Sequence, residues 1–274
     1  MEQTTGYEAL DRILARVRAN SMDLEQKKII TTSYQMKIEE EPKKNLYNCP
    51  YCKDTTWIID IEDKAKRCKC YEIDYIRAQW EASGLKVNDL GKTFKTYNAF
   101  NDVTKKLKNT ATNYYLRFEK IEKSLNNSIL LCGDPGAGKT HLCISLANNF
   151  LKQKNRKVVY MSYLDAVKEL KHYAMDKENY NRLIDKYKSV EILLIDDLFK
   201  GGVTAADIRI AFEIINHRYN NKLPMIVSSE LTIKEILDVD EAIGSRIYEM
   251  AKDFTVEVKG NGTENNYRLR GSND

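Results

Sequence analysis

The chain has 274 residues, of which 42% are hydrophobic and 31% charged, and only 4 are prolines. This composition is typical of a globular protein of roughly two domains and excludes a disordered chain. A net charge of +4 is too small to establish a nucleic-acid partner. No apolar run approaches the roughly 18 residues of a membrane helix and the first residues are unlike a signal peptide, so we expect a cytoplasmic protein with no membrane partner.

The first 45 residues are predicted to form a helix. Five apolar side chains recur at the spacing of one helix face: Ala9, Leu10, Ile13, Leu14 and Val17. We expect this face to pack within its own domain. Pro42 then interrupts the helical pattern, because proline lacks the backbone N–H that a helix interior needs.

Four cysteines follow in two close pairs: Cys49 and Cys52, then Cys68 and Cys70. Each pair can form a tight knuckle, and the apolar residues 57–61 are predicted to run as one strand of a hairpin that returns the second pair to the first. Four sulfurs then surround one tetrahedral Zn²⁺ and leave no open position for catalysis. Disulfides and unliganded thiols are the alternatives. A cytosolic chain argues against disulfides, so we expect structural zinc.

The segments after the cysteines lead into a second domain. A helix is predicted from residue 71 to about residue 83, followed by an extended linker over residues 86–100. The predicted domains are therefore 1–85, which contains the cysteines, and 101–274. The aromatic side chains of the linker are expected to pack at the domain edge rather than against a nucleotide base.

Eight consecutive residues match the phosphate-loop pattern G-x-x-x-x-G-K-[ST]: Gly133, Asp134, Pro135, Gly136, Ala137, Gly138, Lys139 and Thr140. A short apolar strand precedes them, and a helix begins near His141, which is the order that phosphate binding needs. The loop N–H groups and the helix N-terminus attract phosphate oxygens. Lys139 would reach the β- and γ-phosphates, and the Thr140 hydroxyl would hold Mg²⁺. We therefore predict that the loop binds a nucleoside triphosphate with Mg²⁺.

Strands and helices alternate through the second domain. Apolar strands are predicted at 128–132, 157–161, 191–197, 224–228 and 254–258. Helices are predicted at 102–123, 163–173, 205–220, 232–237 and 241–252. Near-continuous apolar strands that alternate with helices imply a parallel sheet covered on both faces. The predicted fold class is therefore α/β, with a five-stranded parallel sheet.

Two aspartates, Asp196 and Asp197, end the third predicted strand. An open α/β sheet binds its ligand at the carboxyl ends of its strands. Asp196 suits a water-mediated contact with Mg²⁺, and Asp197 suits orientation or activation of the attacking water. The base-reading N-K-x-D pattern of GTPases is lacking, because its nearest match ends in Pro224. We therefore expect ATP as the nucleotide.

These motifs resemble a known family. The phosphate loop, the two aspartates, Gly244-Ser245-Arg246 and the four-cysteine segment together resemble the DnaC/DnaI helicase loaders of the AAA+ ATPases. The ATPase part of the resemblance covers about residues 92–270, and it is equally similar to the IstB transposition ATPases. The resemblance implies an AAA+ sheet without a C-terminal helical lid, since only 16 residues follow Val258.

The resemblance also implies roles for individual residues: Lys139 and Thr140 match Walker A, Asp196 and Asp197 match Walker B, and Arg246 matches the arginine finger. The finger would enter a neighbouring subunit's site and stabilise the charge that develops on the γ-phosphate. ATP is therefore expected to promote self-association. His141, next to the loop, is assigned to the same nucleotide site.

The sensor strand departs from the family pattern. Relatives carry Asn after a Thr-Ser pair, whereas this chain has Ser228-Ser229-Glu230. The sensor residue therefore stays open, with the hydroxyl of Ser229 as the candidate for nucleotide contact. Near the C-terminus, Arg268 is more simply a surface residue than a second sensor.

A path for single-stranded DNA has several candidate residues on the ATPase domain: Lys168, Lys171, Arg209 and Arg218, with Tyr163 and Tyr173 for stacking. The sequence does not show that these side chains share a face. Solvated surface charge is the alternative interpretation.

The function predicted from the sequence is ATP-dependent loading of the replicative DNA helicase when replication starts. The N-terminal domain with its Zn²⁺ would hold the helicase. The ATPase domain would bind ATP, Mg²⁺ and single-stranded DNA and hydrolyse ATP slowly, with stimulation by a partner. The alternatives are an IstB-like transposition helper and a nucleotide-switched adaptor with little turnover.

Overall fold

The structure is a computed structural model that describes residues 47–59, 63–260 and 264–269. The helix predicted over the first 45 residues lies outside these ranges. Contacts divide the chain into two compact units, Met1–Ala78 and Gln79–Asp274. The segment predicted as a linker belongs to the second unit and contains a short 3₁₀ helix, Val87–Gly91. The domain borders at residues 85 and 100 stay predictions.

A short antiparallel hairpin organises the first unit. β1 (Trp57–Ile59) pairs with β2 (Ala65–Arg67), with Trp57 opposite Arg67. The Cys68 N–H donates to the Thr56 carbonyl over 2.8 Å, so the chain leaves β2 beside the point where it entered β1. The hairpin predicted between the two cysteine pairs is confirmed for these strands.

A five-stranded parallel sheet forms the centre of the second unit. Its strands are β3 (Ile129–Gly133), β4 (Val158–Ser162), β5 (Ile192–Asp196), β6 (Met225–Ser228) and β7 (Thr255–Val258). The strand order is β4-β5-β6-β3-β7, and every neighbouring pair is parallel. All residues of β3, β5 and β6 are buried, so both faces of the sheet centre are covered. The predicted α/β fold is confirmed.

The longer helices are α1 (Lys69–Ser83), α2 (Asp102–Ile121), α3 (Lys139–Gln153), α4 (Tyr163–His172), α5 (Lys177–Ser189), α6 (Ala205–Asn220), α7 (Ile233–Val239) and α8 (Glu241–Ala251). The sequence analysis did not predict α5, whose residues are mostly polar. Among the described residues after β7, one short 3₁₀ helix, Tyr267–Leu269, is the only helical segment. Within the described ranges, no helix is long and apolar enough to cross a bilayer.

Arg218 on α6 is fully buried and holds several elements together. Its guanidinium donates to the carbonyl oxygens of Tyr187, Lys188, Val190, Glu191 and Pro224, over 2.7 to 3.2 Å. These carbonyls lie at the end of α5 and just before β5 and β6. The end of a helix leaves carbonyl groups without intrahelical partners, and a buried cation is a good donor to them.

For two residues, Arg218 and Tyr163, the predicted contact with DNA is wrong. Arg218 has no exposed surface, and the Tyr163 ring is only 3% exposed. Neither side chain can reach a nucleic acid from the folded domain. Lys171 pairs with Asp207 at the start of α6, whereas Lys168 and Arg209 lie on the surface. A role for the exposed residues in DNA binding stays a prediction.

Candidate nucleotide-binding site

The phosphate loop connects β3 to α3, and its backbone requires glycine at both ends. Gly133 has φ +91°, and a Cβ atom there would lie 2.2 Å from the Val258 carbonyl oxygen on β7. Gly138 has φ +81°, and a Cβ atom there would lie 2.6 Å from the Tyr97 ring. Residues with a side chain rarely adopt such angles. The loop pattern in the sequence therefore corresponds to real constraints on the backbone.

Lys139, the first residue of α3, is 5% exposed. Its Nζ donates to the carbonyl oxygens of Gly133, over 2.6 Å, and Asp134, over 2.7 Å. Burial lowers the pKa of this lysine below its ordinary value. Phosphate oxygens are stronger partners for an ammonium than neutral carbonyls, so a triphosphate in the loop can draw Lys139 toward itself.

The carboxylate of Asp196 receives hydrogen bonds from three hydroxyl groups. Thr140 Oγ1 donates to Oδ1 over 2.8 Å and Ser228 Oγ donates to the same oxygen over 2.5 Å. Tyr160 donates to Oδ2 over 3.1 Å, and burial together with the Asp196 charge raises the pKa of this phenol. Thr140 of the phosphate loop and Asp196 at the end of β5 are thus in direct contact. A hydroxyl and a carboxylate are oxygen ligands that fit Mg²⁺.

The sequence analysis predicted neither the contact of Tyr160 nor that of Ser228 with Asp196, and it named Ser229 as the candidate for nucleotide contact. Ser229 is fully buried, and its Oγ donates to the Leu198 carbonyl over 2.8 Å and accepts from the Leu231 N–H over 3.2 Å. Ser228 reaches Asp196 because Val227 pairs with Ile195, so the next residues of β6 and β5 lie side by side. This register could not be read from the sequence. Nucleotide contact by Ser229 stays a prediction.

Asp197 lies immediately beyond β5, at the carboxyl edge of the sheet. Its φ of +56° is unusual for a residue with a side chain. Its N–H donates to Ser228 Oγ over 2.9 Å, and its Oδ2 accepts from Lys200 Nζ over 2.8 Å. The side chain is 31% exposed. A carboxylate in this position can contact water that approaches the sheet edge.

His141 packs against the segment before α2. Its Nε2 lies 3.0 Å from the Thr93 carbonyl and 3.3 Å from Thr96 Oγ1. Tyr97 in the same segment donates its hydroxyl to the Ala137 carbonyl over 2.7 Å. Burial lowers the pKa of His141. This segment therefore packs on the phosphate loop, and the assignment of His141 to the nucleotide stays a prediction.

Residues near the C-terminus also contact the loop. The Tyr267 N–H donates to the Gly136 carbonyl over 3.0 Å. A Cβ atom at Gly136 would lie 2.1 Å from Asn266 Oδ1, so the Asn266 side chain lies directly against the loop. Arg268, the C-terminal residue considered in the sequence, is exposed.

Arg246 on α8 packs on aromatic rings of α6. Its guanidinium carbon lies 5.3 Å from the centre of the Phe212 ring and 5.5 Å from that of Tyr219. Its Nη1 donates to the Ala242 carbonyl over 2.7 Å. These contacts hold the guanidinium group itself against α6 and the first turn of α8. Its role as an arginine finger requires a second subunit and stays a prediction.

The first unit contains a candidate metal centre: Cys49, Cys52, Cys68 and Cys70, whose sulfur atoms all lie within 4.8 Å of one another. The Cys49 and Cys68 sulfurs are 3.8 Å apart, and those of Cys52 and Cys70 are 3.3 Å apart. Zn–S bonds of about 2.3 Å in a tetrahedron separate the sulfurs by about 3.8 Å. These cysteines form no disulfides. The donor set therefore fits Zn²⁺.

Comparison with known proteins identifies the family. The model of the IstB-like ATP binding proteins matches residues 83–272, which is more than half of the chain. The chain belongs to the IstB-like ATP-binding protein family. The IstB-like region includes the phosphate loop, both aspartates and Arg246, and the four cysteines precede it.

Individual relatives agree with this assignment. YqaM of Bacillus subtilis, whose name describes it as uncharacterized, is 34% identical over 272 residues, covering 81% of this chain and 86% of that protein. The DnaC helicase loader structure has a TM-score of 0.54 at 21% identity and covers 63% of this chain and 99% of that chain. The DnaI structure has a TM-score of 0.55 at 22% identity, with coverage of 64% and 95%. The resemblance to DnaC/DnaI and IstB proteins, and with it the AAA+ fold of this IstB-like chain, is confirmed.

Proposed function

We propose that this protein is an ATP-dependent loader of the replicative DNA helicase. The observation that carries its ATPase part is the hydrogen bond from Thr140 to Asp196, which joins the Walker A and Walker B positions. Such preorganisation favours binding of ATP with Mg²⁺, because the two oxygen ligands are already adjacent.

Each residue of the site would have its own role in ATP binding and hydrolysis. The loop N–H groups and Lys139 bind the phosphates, Thr140 holds Mg²⁺, and Asp196 contacts the ion through water. Asp197 orients the water that attacks the γ-phosphate. Arg246 of a neighbouring copy stabilises the charge that develops there, so ATP promotes self-association.

The loader part of the proposal rests on two further observations. The fold resembles that of the DnaC helicase loader, and a four-cysteine module precedes the ATPase unit. A zinc-stabilised module of this size offers a rigid surface for the helicase, because metal binding supplies folding free energy. The ATPase unit would bind single-stranded DNA and hydrolyse ATP slowly until a partner stimulates it.

A second candidate is an IstB-like transposition helper, which the description of the matching family favours. Its partners would be a transposase and duplex DNA. The family match covers the ATPase region alone and therefore fits both functions. A nucleotide-switched adaptor would bind ATP with little turnover.

The experiment that separates these functions is capture of purified partners by the full chain, with and without ATP and Mg²⁺. A loader captures the replicative helicase and prefers single-stranded DNA, whereas a transposition helper captures the transposase and prefers duplex DNA. Lys139→Ala removes the phosphate-binding cation and should abolish every ATP effect. Lys120→Ala, an exposed lysine on α2, is the matched control. Helicase capture that fails under all conditions would rule out the loader.

A further inference from the structure

Lys200 bridges two carboxylates next to the Walker B pair. Its Nζ lies 2.8 Å from Asp197 Oδ2 and 2.9 Å from Glu230 Oε1. The three side chains are 31% to 43% exposed, so the bridge lies at the surface of the site. The oxygen of Asp197 that accepts from Lys200 is therefore engaged by a cation.

We propose that Lys200 is a positioning residue for Asp197, whose Oδ2 it occupies and so keeps from accepting the attacking water until Lys200 moves aside. The inference rests on the proposed role of Asp197 in orienting that water. A carboxylate that must accept a hydrogen bond or a proton from water is a weaker acceptor while an ammonium is bound to it. Release of Lys200 would restore the acceptor and increase turnover without altering the phosphate loop.

The loop around Lys200 has room for this movement. Gly201 and Gly202 follow it, both with positive φ, and no atom lies within 4 Å of a Cβ built on Gly202. The loop borders an open cavity of about 470 Å³, whose wall includes Leu198 and Leu231. Lys200 can therefore leave without displacing the core.

Asp197 has less freedom than Lys200. Its N–H is held by Ser228 Oγ, and the Leu198 N–H beside it donates to the Ser228 carbonyl over 2.9 Å. Movement of the lysine would therefore leave the acid in place at the end of β5. This difference favours a mechanism in which Lys200 moves and Asp197 stays in place. ATP turnover is slow while the bridge between them is intact.

A purely structural bridge would behave differently. Exposed ion pairs contribute little to stability, so a bridge that only braces the loop would leave kcat unchanged when it is removed. The proposed role predicts instead a rise in kcat with an unchanged KM for ATP. Because the bridge is exposed, added KCl should also raise kcat of the wild-type protein by screening the pair.

The test is the steady-state ATPase activity of Lys200→Met, which keeps the aliphatic stem and removes the charge. We expect kcat to rise about two- to fivefold, the factor that corresponds to an exposed ion pair of up to about 1 kcal/mol. KM should stay within about twofold, since the phosphate contacts remain. Lys200→Arg keeps the charge and should behave like the wild type, and Lys252→Met is a control on an exposed lysine in the turn after α8.

Unchanged or lower kcat in a folded Lys200→Met protein would overturn the inference. If this variant does not fold, the salt dependence of wild-type kcat tests the inference instead. A wild-type kcat that does not rise with KCl would overturn the role of Lys200. Asp197→Asn separates the two proposals. If it turns over ATP at the wild-type rate, the proposed role of Asp197 fails. If it is inactive while Lys200→Met equals the wild type, only the role of Lys200 fails.

Discussion

Ser228 donates its hydroxyl to Asp196 Oδ1 over 2.5 Å, from the end of the neighbouring strand. The hydroxyl oxygen of Ser228 in turn accepts the N–H of Asp197 over 2.9 Å. One side chain on β6 therefore fixes the carboxylate of Asp196 at the end of β5 and the backbone of Asp197 just beyond it. Of the two serines, Ser228 suits the role of sensor better than Ser229. Ser228 donates to the Asp196 carboxylate, whereas Ser229 donates to the Leu198 carbonyl.

Ser228→Ala is expected to reduce kcat for ATP hydrolysis about three- to tenfold, since one hydrogen bond of about 1 kcal/mol, made to a charged acceptor, no longer orients the acids. ATP affinity should stay close to that of the wild type, because Lys139 and the phosphate loop are untouched. Fluorescent-nucleotide titration and steady-state turnover measure the two quantities.

Ser229→Ala is the matched control. Its hydroxyl links the Leu198 carbonyl, just after β5, to the Leu231 N–H, just after β6, so this variant should lose stability and keep its turnover. The opposite result, with slow turnover in Ser229→Ala and normal turnover in Ser228→Ala, would establish Ser229 as the sensor.

The parts of the fold that the sequence predicted are those encoded locally. Buried parallel strands appear as short apolar runs, and the phosphate loop is encoded by glycines whose backbone angles exclude other residues. The four cysteines are brought together by a hairpin only a few residues long. Each of these features depends on neighbours within about twenty positions, as the phosphate-loop and zinc-knuckle patterns do.

The features that were missed depend on contacts between distant segments. Tyr160 and Ser228 reach Asp196 through the register of three strands, which sequence patterns do not specify. Arg218 was taken for a surface cation because charged residues are usually exposed, but the carbonyl groups that satisfy it come from elsewhere in the chain. The helix α5 was missed because most of its residues are polar, although Tyr180, Leu183, Ile184 and Tyr187 do recur at helical spacing and pack on the core.

The four-cysteine module is expected to carry one zinc ion per chain. Elemental analysis of carefully reduced protein should give a ratio near one, and Cys68→Ser should lower it, because three sulfurs bind zinc less tightly than four. Cys132→Ala is the control, since Cys132 lies in β3 outside the cluster and should leave the metal content unchanged. A wild-type protein with clearly less than one zinc would contradict the site.

Arg218→Lys is expected to lower the free energy of unfolding by about 2 to 4 kcal/mol, because one ammonium cannot replace a guanidinium that reaches five carbonyl oxygens and the unpaired groups stay buried. Denaturant unfolding of the full chain measures the change. Arg209→Lys, an exposed position on the same helix, should alter stability by less than about 0.5 kcal/mol. Equal stabilities for the two variants would show that Arg218 is not a structural cation.

The half-buried ring of His141 should make stability depend on pH. Burial lowers its pKa below the ordinary 6.5, so between the two values the unfolded chain binds a proton that the folded chain does not. The resulting stability is present above the unfolded-state pKa and decreases as pH falls through it toward the lower folded-state pKa. Denaturant unfolding from pH 8 to pH 5 should therefore show a steeper loss for the wild type than for His141→Gln, which lacks the titrating ring. Titration of carboxylates and loss of zinc are common to both proteins and cancel in the difference. Parallel curves for wild type and His141→Gln would contradict this role of His141.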